Sequence, residues 1–287
     1  MKIFLTLLFA VLATTASGES LLQKPTLVSS DWLAEQIDHP EIRILDARSS
    51  LGPYMQGHIP GAIYLNTETL RISEGGVPAS LLPPEALAEI FGKLGIGNQH
   101  TVVIYSSGEE AFAHAAYLAF VLEWLGHQSV GVLDGGFDKW NAEDRALTSD
   151  FPSLERAAFE PRADPALLKK AQDVKNVVSS QDAVLLDARP PQQFEAAHIP
   201  SARSFFLERT IEGDDVKTWK SPEDLRRLAA EVGVDGSTPI ITYCTSGRQS
   251  AQIWFTLRHV AGLTNVSSYD GSWIDWTSKR LPTASGQ

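Results

Sequence analysis

The sequence predicts an α/β protein in which two tandem domains each contain a parallel sheet with helices on both faces. Three observations favour this fold class. The chain has 287 residues, about twice the length of an average domain. An ordered set of short motifs occurs twice along it. Within each copy, short apolar runs alternate with segments of helical periodicity, as they do where helices connect parallel strands.

The repeat begins with an Asp-Ala-Arg motif at the end of an apolar run. Residues 44–48 (ILDAR) precede a His-Ile-Pro turn at 58–60, and residues 185–189 (LLDAR) precede the same turn at 198–200. Because order and spacing are both kept, we interpret the pattern as a tandem duplication with small loop deletions. Motifs that both copies share are expected to have structural roles.

Two more matches follow in the same order. Residues 102–106 (VVIYS) correspond to 240–244 (IITYC), and residues 133–136 (LDGG) correspond to 269–272 (YDGS). The Asp-Gly pairs indicate turns. The first copy therefore has a serine where the second has the one cysteine of the chain.

The apolar patterns predict the individual elements. Three short apolar runs of the second copy predict buried strands, at residues 183–187, 239–243 and 266–269. A helix is predicted after the second of these runs from apolar residues at helical spacing and a glycine stop: Ile253, Trp254, Leu257, Val260, Ala261 and Gly262. The first copy repeats that helical stripe with Ala113, Ala116, Tyr117, Phe120, Val121, Trp124 and the stop Gly126.

The N-terminus is typical of an export signal. Lys2 precedes an apolar run at residues 3–13, which is too short to span a bilayer, and small residues follow to Gly18. We expect residues 1–18 to be a signal peptide, cleaved after Ala16 or Gly18, and the mature protein to be periplasmic or secreted without a membrane span. The remaining chain divides into a first domain at 25–150, a proline-containing linker at 151–165 and a second domain at 166–287.

Charge and cysteine content exclude several functions. The formal net charge is −11, from 35 acidic and 24 basic residues, and no basic cluster is present to neutralise phosphates. General affinity for nucleic acid or for anionic membranes is therefore not expected. One cysteine permits no intramolecular disulfide and no cysteine-rich zinc site. No dinucleotide, phosphate-loop or metal-ligand motif is found, so no cofactor is predicted. The oligomeric state stays open.

Cys244 is the candidate nucleophile because it lies between a predicted strand and a predicted helix. Ligands of parallel sheets bind at the carboxyl ends of the strands. The loop Cys-Thr-Ser-Gly-Arg-Gln at residues 244–249 contains Gly247, which lets the backbone amides turn inward, and Arg248, which adds positive charge. These neighbours favour a reactive thiolate over a buried structural cysteine.

With these motifs the chain resembles the tandem-domain rhodaneses, which include thiosulfate and 3-mercaptopyruvate sulfurtransferases. The resemblance runs from residue 28 to Trp276 and includes both Asp-Ala-Arg cassettes. It implies a first domain without the cysteine, where Ser106 stands, and a persulfide formed on Cys244 in the second. The sulfur donor is then a small anion and the acceptor is cyanide or a thiol.

The resemblance also implies roles for the loop and for two arginines. Thr245, Ser246, Gly247, Arg248 and Gln249 would form the cradle of the persulfide. Arg189 and Arg248 would bind the donor. Mercaptopyruvate enzymes present a second arginine from the second cassette, whereas residues 190–197 here contain no basic residue. Loss of one such contact costs about 1.5–3 kcal/mol, so thiosulfate is favoured over mercaptopyruvate.

Other cysteine chemistries fit less well. A phosphatase loop needs an arginine six residues after the cysteine, and that position is Ser250. A papain-like hydrolase needs a histidine base, but His58 and His198 belong to the repeated turns and indicate a structural role. Two alternatives stay open: an exported carrier that holds sulfur on Cys244 for a partner without rapid turnover, and a binding module without catalysis.

Overall fold

The computed structural model describes residues 21–286. The predicted signal peptide at residues 1–18 lies outside these residues. No helix within the described range is long and apolar enough to cross a membrane.

The first half of the chain folds around a five-stranded parallel sheet. This half of the chain contains seven strands in the described residues, of which five form the sheet: β1 (Thr26–Val28), β2 (Ile42–Asp46), β3 (Ala62–Tyr64), β4 (Arg71–Glu74), β5 (Val77–Leu81), β6 (Thr101–Tyr105) and β7 (Val130–Leu133). The sheet order is β1-β7-β6-β2-β3, and β4 and β5 form a separate antiparallel hairpin. The helices are α1 (Ser30–Gln36), α2 (Leu51–Gln56), α3 (Pro84–Lys93), α4 (Ala113–Trp124) and α5 (Gly136–Ala142). Two 3₁₀ turns occupy Thr67–Leu70 and Glu109–Phe112.

The second half repeats this arrangement. Its strands are β8 (Leu168–Lys169), β9 (Val184–Asp187), β10 (Arg203–Ser204), β11 (Ile211–Glu212), β12 (Thr218–Trp219), β13 (Ile240–Tyr243) and β14 (Val266–Tyr269). Its helices are α6 (Ala171–Ser180), α7 (Pro191–Ala196), α8 (Pro222–Glu231), α9 (Arg248–Phe255) and α10 (Ser272–Ser278). A 3₁₀ turn covers Leu207–Thr210, and a π-helical turn at Thr256–Val260 continues α9.

Both sheets have the same strand order, which confirms the predicted fold class of two parallel α/β units. The second sheet runs β8-β14-β13-β9-β10, so each of its strands takes the place of its counterpart in the first, and β11 pairs antiparallel with β12. The three strands predicted for the second copy are β9, β13 and β14, each within one residue of the predicted start. Gly126 and Gly262, predicted as helix stops, both have positive φ values, of 86° and 81°.

The two halves pack against each other through α4 and α9. All twelve residues of α4 are buried, because one side of the helix covers its own sheet and another meets the second half. Phe120 of α4 packs edge-on against Trp254 of α9, with ring centroids 5.0 Å apart. Phe112 stacks on Trp219 at 4.4 Å. One apolar core therefore runs through both sheets, and the carboxyl end of β13 faces the first half.

The segment predicted as a linker runs along the surface of the first half without helix or strand. The backbone amides of Ala157 and Arg162 donate to the carbonyls of Gly92 and Leu125, and the side chain of Phe159 is buried. These contacts attach the segment to the first sheet's helices, so it is an ordered connection.

Three histidines of the first half are buried and held neutral. Burial lowers the pKa of His100 to about 4, with a further contribution from Arg43. Burial likewise lowers the pKa values of His114 and His127 to about 4. Each histidine takes up a proton on unfolding once the pH falls below its ordinary pKa of about 6.5.

We therefore expect the free energy of unfolding to keep its full value above about pH 6.5 and to decrease as the pH falls from about 6.5 to about 4. For the deeply buried His127, a shift of this size corresponds to about 2 kcal/mol at pH 5. Urea unfolding of the wild type and of His127→Phe, at pH 7 and pH 5, measures it. The variant replaces an imidazole that stacks on Phe159, at 5.8 Å between centroids, with another ring. Its loss of stability between the two pH values should be smaller than that of the wild type, and equal losses would contradict the assignment.

Candidate active site

Cys244 is the first residue after β13, and its side chain is 1 % exposed. The loop that follows is closed by short local contacts. The backbone N–H of Gly247 donates to Cys244 Sγ at 3.1 Å. The Cys244 amide donates to Ser272 Oγ, also at 3.1 Å, and Ser250 Oγ donates to the Gly247 carbonyl at 2.7 Å. The loop thus wraps around the sulfur and directs one amide at it.

The outer side of the loop rests on the segment that follows β14. The Trp273 amide donates to the Cys244 carbonyl, and the Ile274 amide donates to the Thr245 carbonyl, both at 3.0 Å. These bonds satisfy loop carbonyls on the side away from the sulfur. Ser246 and Gln249 are partly exposed, with Gln249 in the first turn of α9.

Gly247 is the loop residue whose backbone tolerates no side chain. Its φ of 97° is in the region that favours glycine. A Cβ built there would meet the side chain of Asp270 and would lie 2.5 Å from the Asp270 carbonyl oxygen. The close approach of these two backbones is what brings the Gly247 amide to the sulfur.

Arg248 was expected to bind the donor, but its guanidinium pairs with two carboxylates of the first half. Nη1 lies 2.8 Å from Glu68 Oε1 and Nη2 lies 2.9 Å from Glu110 Oε2. Glu110 has a left-handed backbone, with φ of 49°, as do the two residues after it. An anion that binds the Nη atoms of Arg248 has to displace these carboxylates, while the buried Nε has no hydrogen-bond partner within the described residues. The role of Arg248 as a donor ligand stays a prediction.

The second predicted donor ligand, Arg189, is also committed elsewhere. Its Nη2 lies 2.6 Å from Asp187 Oδ2 and donates to the Ala197 carbonyl at 2.8 Å, and the guanidinium covers the Trp273 ring at 4.4 Å. The side chain is 3 % exposed. The expectation that Arg189 binds substrate stays a prediction. In this structure its geometry fits a scaffold role, in which Arg189 holds the His-Ile-Pro turn against the end of β9.

The first half contains the same network without a cysteine. Arg48 pairs with Asp46 at 2.6 Å and donates to the Gly57 carbonyl at 2.8 Å. The Arg48–Asp46 pair is buried within the first half. Asp46 and Asp187 each accept a bond from the backbone amide of the arginine two residues later, so each aspartate fixes its arginine-bearing turn.

The two repeated histidines have the structural role that their repetition predicted. His58 Nδ1 bonds the Tyr54 carbonyl at 2.9 Å, and its ring stacks on Tyr54. His198 Nδ1 bonds the Phe194 carbonyl at 2.8 Å and stacks on Phe194 in the same way. Both rings pack within their own turns, and within residues 21–286 neither imidazole forms a hydrogen bond to Cys244.

Sequence reasoning missed the residues that the first half contributes to the loop. Arg71 donates from Nη2 to the Ser246 carbonyl and lies 3.7 Å from Asp270 Oδ1. The Tyr117 hydroxyl donates to the same Asp270 oxygen at 3.2 Å. Burial raises the pKa of Asp270, while Arg71 lowers it. Asp270 had been interpreted only as a turn residue, and the repeat gave no signal for Arg71.

The repeated five-stranded parallel sheet, with a loop cysteine in the second copy, defines the class of two-domain rhodanese-fold proteins. The chain belongs to the rhodanese family, since the rhodanese-like domain matches residues 29–143 and 166–279. This confirms the resemblance found in the sequence.

Similar proteins of known name support sulfurtransferase chemistry. A Synechococcus elongatus protein named "Putative thiosulfate sulfurtransferase" is 29% identical, over 95% of this chain and 88% of its own. The sulfur carrier protein TtuD of Thermus thermophilus is 31% identical, over 91% and 97%. The crystal structure of SseA from Escherichia coli, a 3-mercaptopyruvate sulfurtransferase, aligns with a TM-score of 0.79 at 29% identity, covering 87% of this chain and 99% of its own.

Proposed function

We propose that the protein transfers a sulfane sulfur from thiosulfate to cyanide or a thiol through a persulfide on Cys244. The observation that carries this proposal is the Gly247 amide, which donates to Cys244 Sγ from a loop at the end of β13. An amide aimed at the sulfur stabilises negative charge there, as a thiolate and as a persulfide both require.

The reaction balances without a cofactor. The Cys244 thiolate attacks the outer sulfur of thiosulfate, the sulfur–sulfur bond of the donor breaks, and sulfite leaves with the bonding electron pair. The enzyme then carries a persulfide anion. Cyanide attacks the outer persulfide sulfur and leaves as thiocyanate, and the bonding pair returns to Cys244 as the thiolate.

Thiosulfate is preferred over 3-mercaptopyruvate because the second cassette offers no arginine pair for a carboxylate. Residues 190–197 contain no basic residue, and Arg189 already serves Asp187. The name of the Synechococcus relative supports the same choice. The likeness to SseA keeps mercaptopyruvate as the alternative donor.

A sulfur carrier without rapid turnover is the second candidate function. The relative TtuD is named a sulfur carrier protein, and Cys244 is 1 % exposed in this structure. A covered persulfide suits transfer to a docked partner. We also propose that the protein is exported, on the basis of residues 1–18.

A side-by-side kinetic comparison of the two donors tests the proposed function. Purified protein, with cyanide as acceptor, should show the higher kcat/KM for thiosulfate. If the donor displaces Glu68 and Glu110 from the Arg248 guanidinium, Arg248→Ala should raise the KM for thiosulfate more than that for mercaptopyruvate, because the smaller dianion depends more on this charge. Arg227→Ala, which removes an exposed pair with Asp224, is the control. Equal effects of Arg248→Ala on both donors would remove the preference, and no turnover with either donor would favour the carrier.

A further inference from the structure

Arg71 is a cation of the first half buried against the active loop of the second. It is the first residue of β4, directly after the 3₁₀ turn at Thr67–Leu70, and its side chain is 3 % exposed. A buried arginine at a junction between two halves needs anionic or carbonyl partners on every donor.

Only part of the Arg71 guanidinium has such partners. Nη2 donates to the Ser246 carbonyl and lies near Asp270, and the Tyr117 ring lies 5.2 Å below the guanidinium carbon. Nε is buried and has no hydrogen-bond partner within the described residues. An unused buried donor is uncommon in folded proteins and points to a bond that is made in another state of the site.

Arg71 stays charged in this position. Burial by itself lowers the pKa of Arg71, but Tyr117, Asp270, Glu68 and Cys244 act against burial, and the net effect raises the pKa. The Nη2 atom bonds the carbonyl of Ser246, two residues after Cys244, so the charge of Arg71 lies beside the active loop. Arg248 pairs with Glu68 and Glu110 through its two Nη atoms, and its buried Nε, like that of Arg71, has no hydrogen-bond partner within the described residues. Arg71 is the more deeply buried of the two arginines, with a side chain 3 % exposed against 24 % for Arg248.

We propose that Arg71 is a positioning residue for the sulfur chemistry: it fastens the active loop through the Ser246 carbonyl and supplies the cation that balances the anionic sulfur of Cys244. The inference rests on the proposed function. It also gives the cysteine-free first domain a direct part in the site, because β4 places a buried cation at the loop.

The pH profile of Cys244 alkylation tests this role. Cys244 is the one cysteine of the chain, so intact mass after iodoacetamide treatment reports on it alone. Arg71→Met should move the midpoint of the rate profile to higher pH by about one unit, which makes the reaction about tenfold slower at neutral pH. The midpoint for Arg71→Lys should lie between those of the wild type and Arg71→Met, because lysine keeps the positive charge but lacks the planar guanidinium. A purely structural role would change the plateau rate and leave the midpoint in place.

Arg258→Met is the matched control. Arg258 also crosses between the halves, with Nε 3.0 Å from Glu123 Oε1, but at the π-helical turn that follows α9. Its profile should match that of the wild type. If Arg71→Met is folded and its midpoint equals that of the wild type, the proposal is wrong. If Arg71→Met does not fold, Arg71→Lys takes its place in the comparison. A rate of persulfide formation from thiosulfate equal to that of the wild type would then overturn the proposal.

The two failures are distinguishable. A wild-type protein that gains no sulfur from thiosulfate would contradict the proposed function, while its alkylation profile would still report on Arg71. A wild-type protein that gains sulfur, together with superimposable alkylation profiles for Arg71→Met and the wild type, would contradict the role of Arg71 alone.

Discussion

Replacing Cys244 with serine should abolish the gain of a sulfur atom from thiosulfate and lower sulfur transfer by at least about 10³-fold, since the group that forms the covalent intermediate is removed. A hydroxyl is a far weaker nucleophile than a thiolate at neutral pH. Cys244 is buried and its neighbours include Ser250 and Ser272, so a serine is accommodated at this place. Intact mass before and after thiosulfate treatment, with cyanide turnover beside it, measures both effects.

The matched control is Ser106→Ala, since Ser106 follows β6 as Cys244 follows β13. Within the described residues its hydroxyl bonds the Ser107 carbonyl alone, at 3.3 Å, so its loss should leave sulfur transfer within about twofold of the wild type. A Cys244→Ser protein that still gained sulfur, or that turned thiosulfate over at the wild-type rate, would contradict both the enzyme and the carrier hypotheses.

Gly247→Ala should lower sulfur transfer by about 10²-fold or more even though no side chain is lost. The added Cβ would lie 2.5 Å from the Asp270 carbonyl oxygen, so the loop has to move away from the segment after β14. That movement withdraws the Gly247 amide from Cys244 Sγ, and loss of one such donor costs about 10²–10³-fold in related oxyanion sites. Steady-state kinetics with thiosulfate and cyanide measure the loss.

Gly262→Ala separates the clash from the cost of the backbone conformation. Gly262 has a φ of 81°, comparable to the 97° of Gly247, but a Cβ there would meet no atom within 4 Å. It should cost about 1–2 kcal/mol of unfolding free energy and leave the kinetics unchanged. Equal kinetics for Gly247→Ala and the wild type would show that the amide does not stabilise the sulfur.

The local structure predicted around Cys244 is present, whereas the partners of the charged residues could not be predicted from the sequence. The strand, the turn and the helix around Cys244 are encoded by nearby residues, so apolar periodicity and Gly247 were enough to place the loop. The arginines were assigned by resemblance and by proximity in the chain. Arg189 proved to be held by Asp187, two residues before it, a contact that the duplicated Arg48 and Asp46 could have indicated.

The contact between Arg71 and the active loop, in contrast, could not be predicted from local sequence patterns. Arg71 lies 175 residues before Ser246 in the chain, yet its guanidinium bonds that loop carbonyl. No periodicity or motif connects them, because the contact depends on how α4 packs against α9. The composition of α4 indicates such a contact between the halves, because the helix has more apolar residues than one stripe facing its own sheet requires.

The sequence by itself determined the duplicated α/β architecture and the half of the chain that carries the cysteine. Both follow from local patterns, namely apolar runs, turn glycines and one Cys244, whose effect does not depend on distant parts of the chain. Only the tertiary structure decided which charges face the sulfur. Electrostatic partners are set by distance in space and by burial, so the pairing of Arg248 with Glu68 and the placement of Arg71 at the loop arise where the two domains meet.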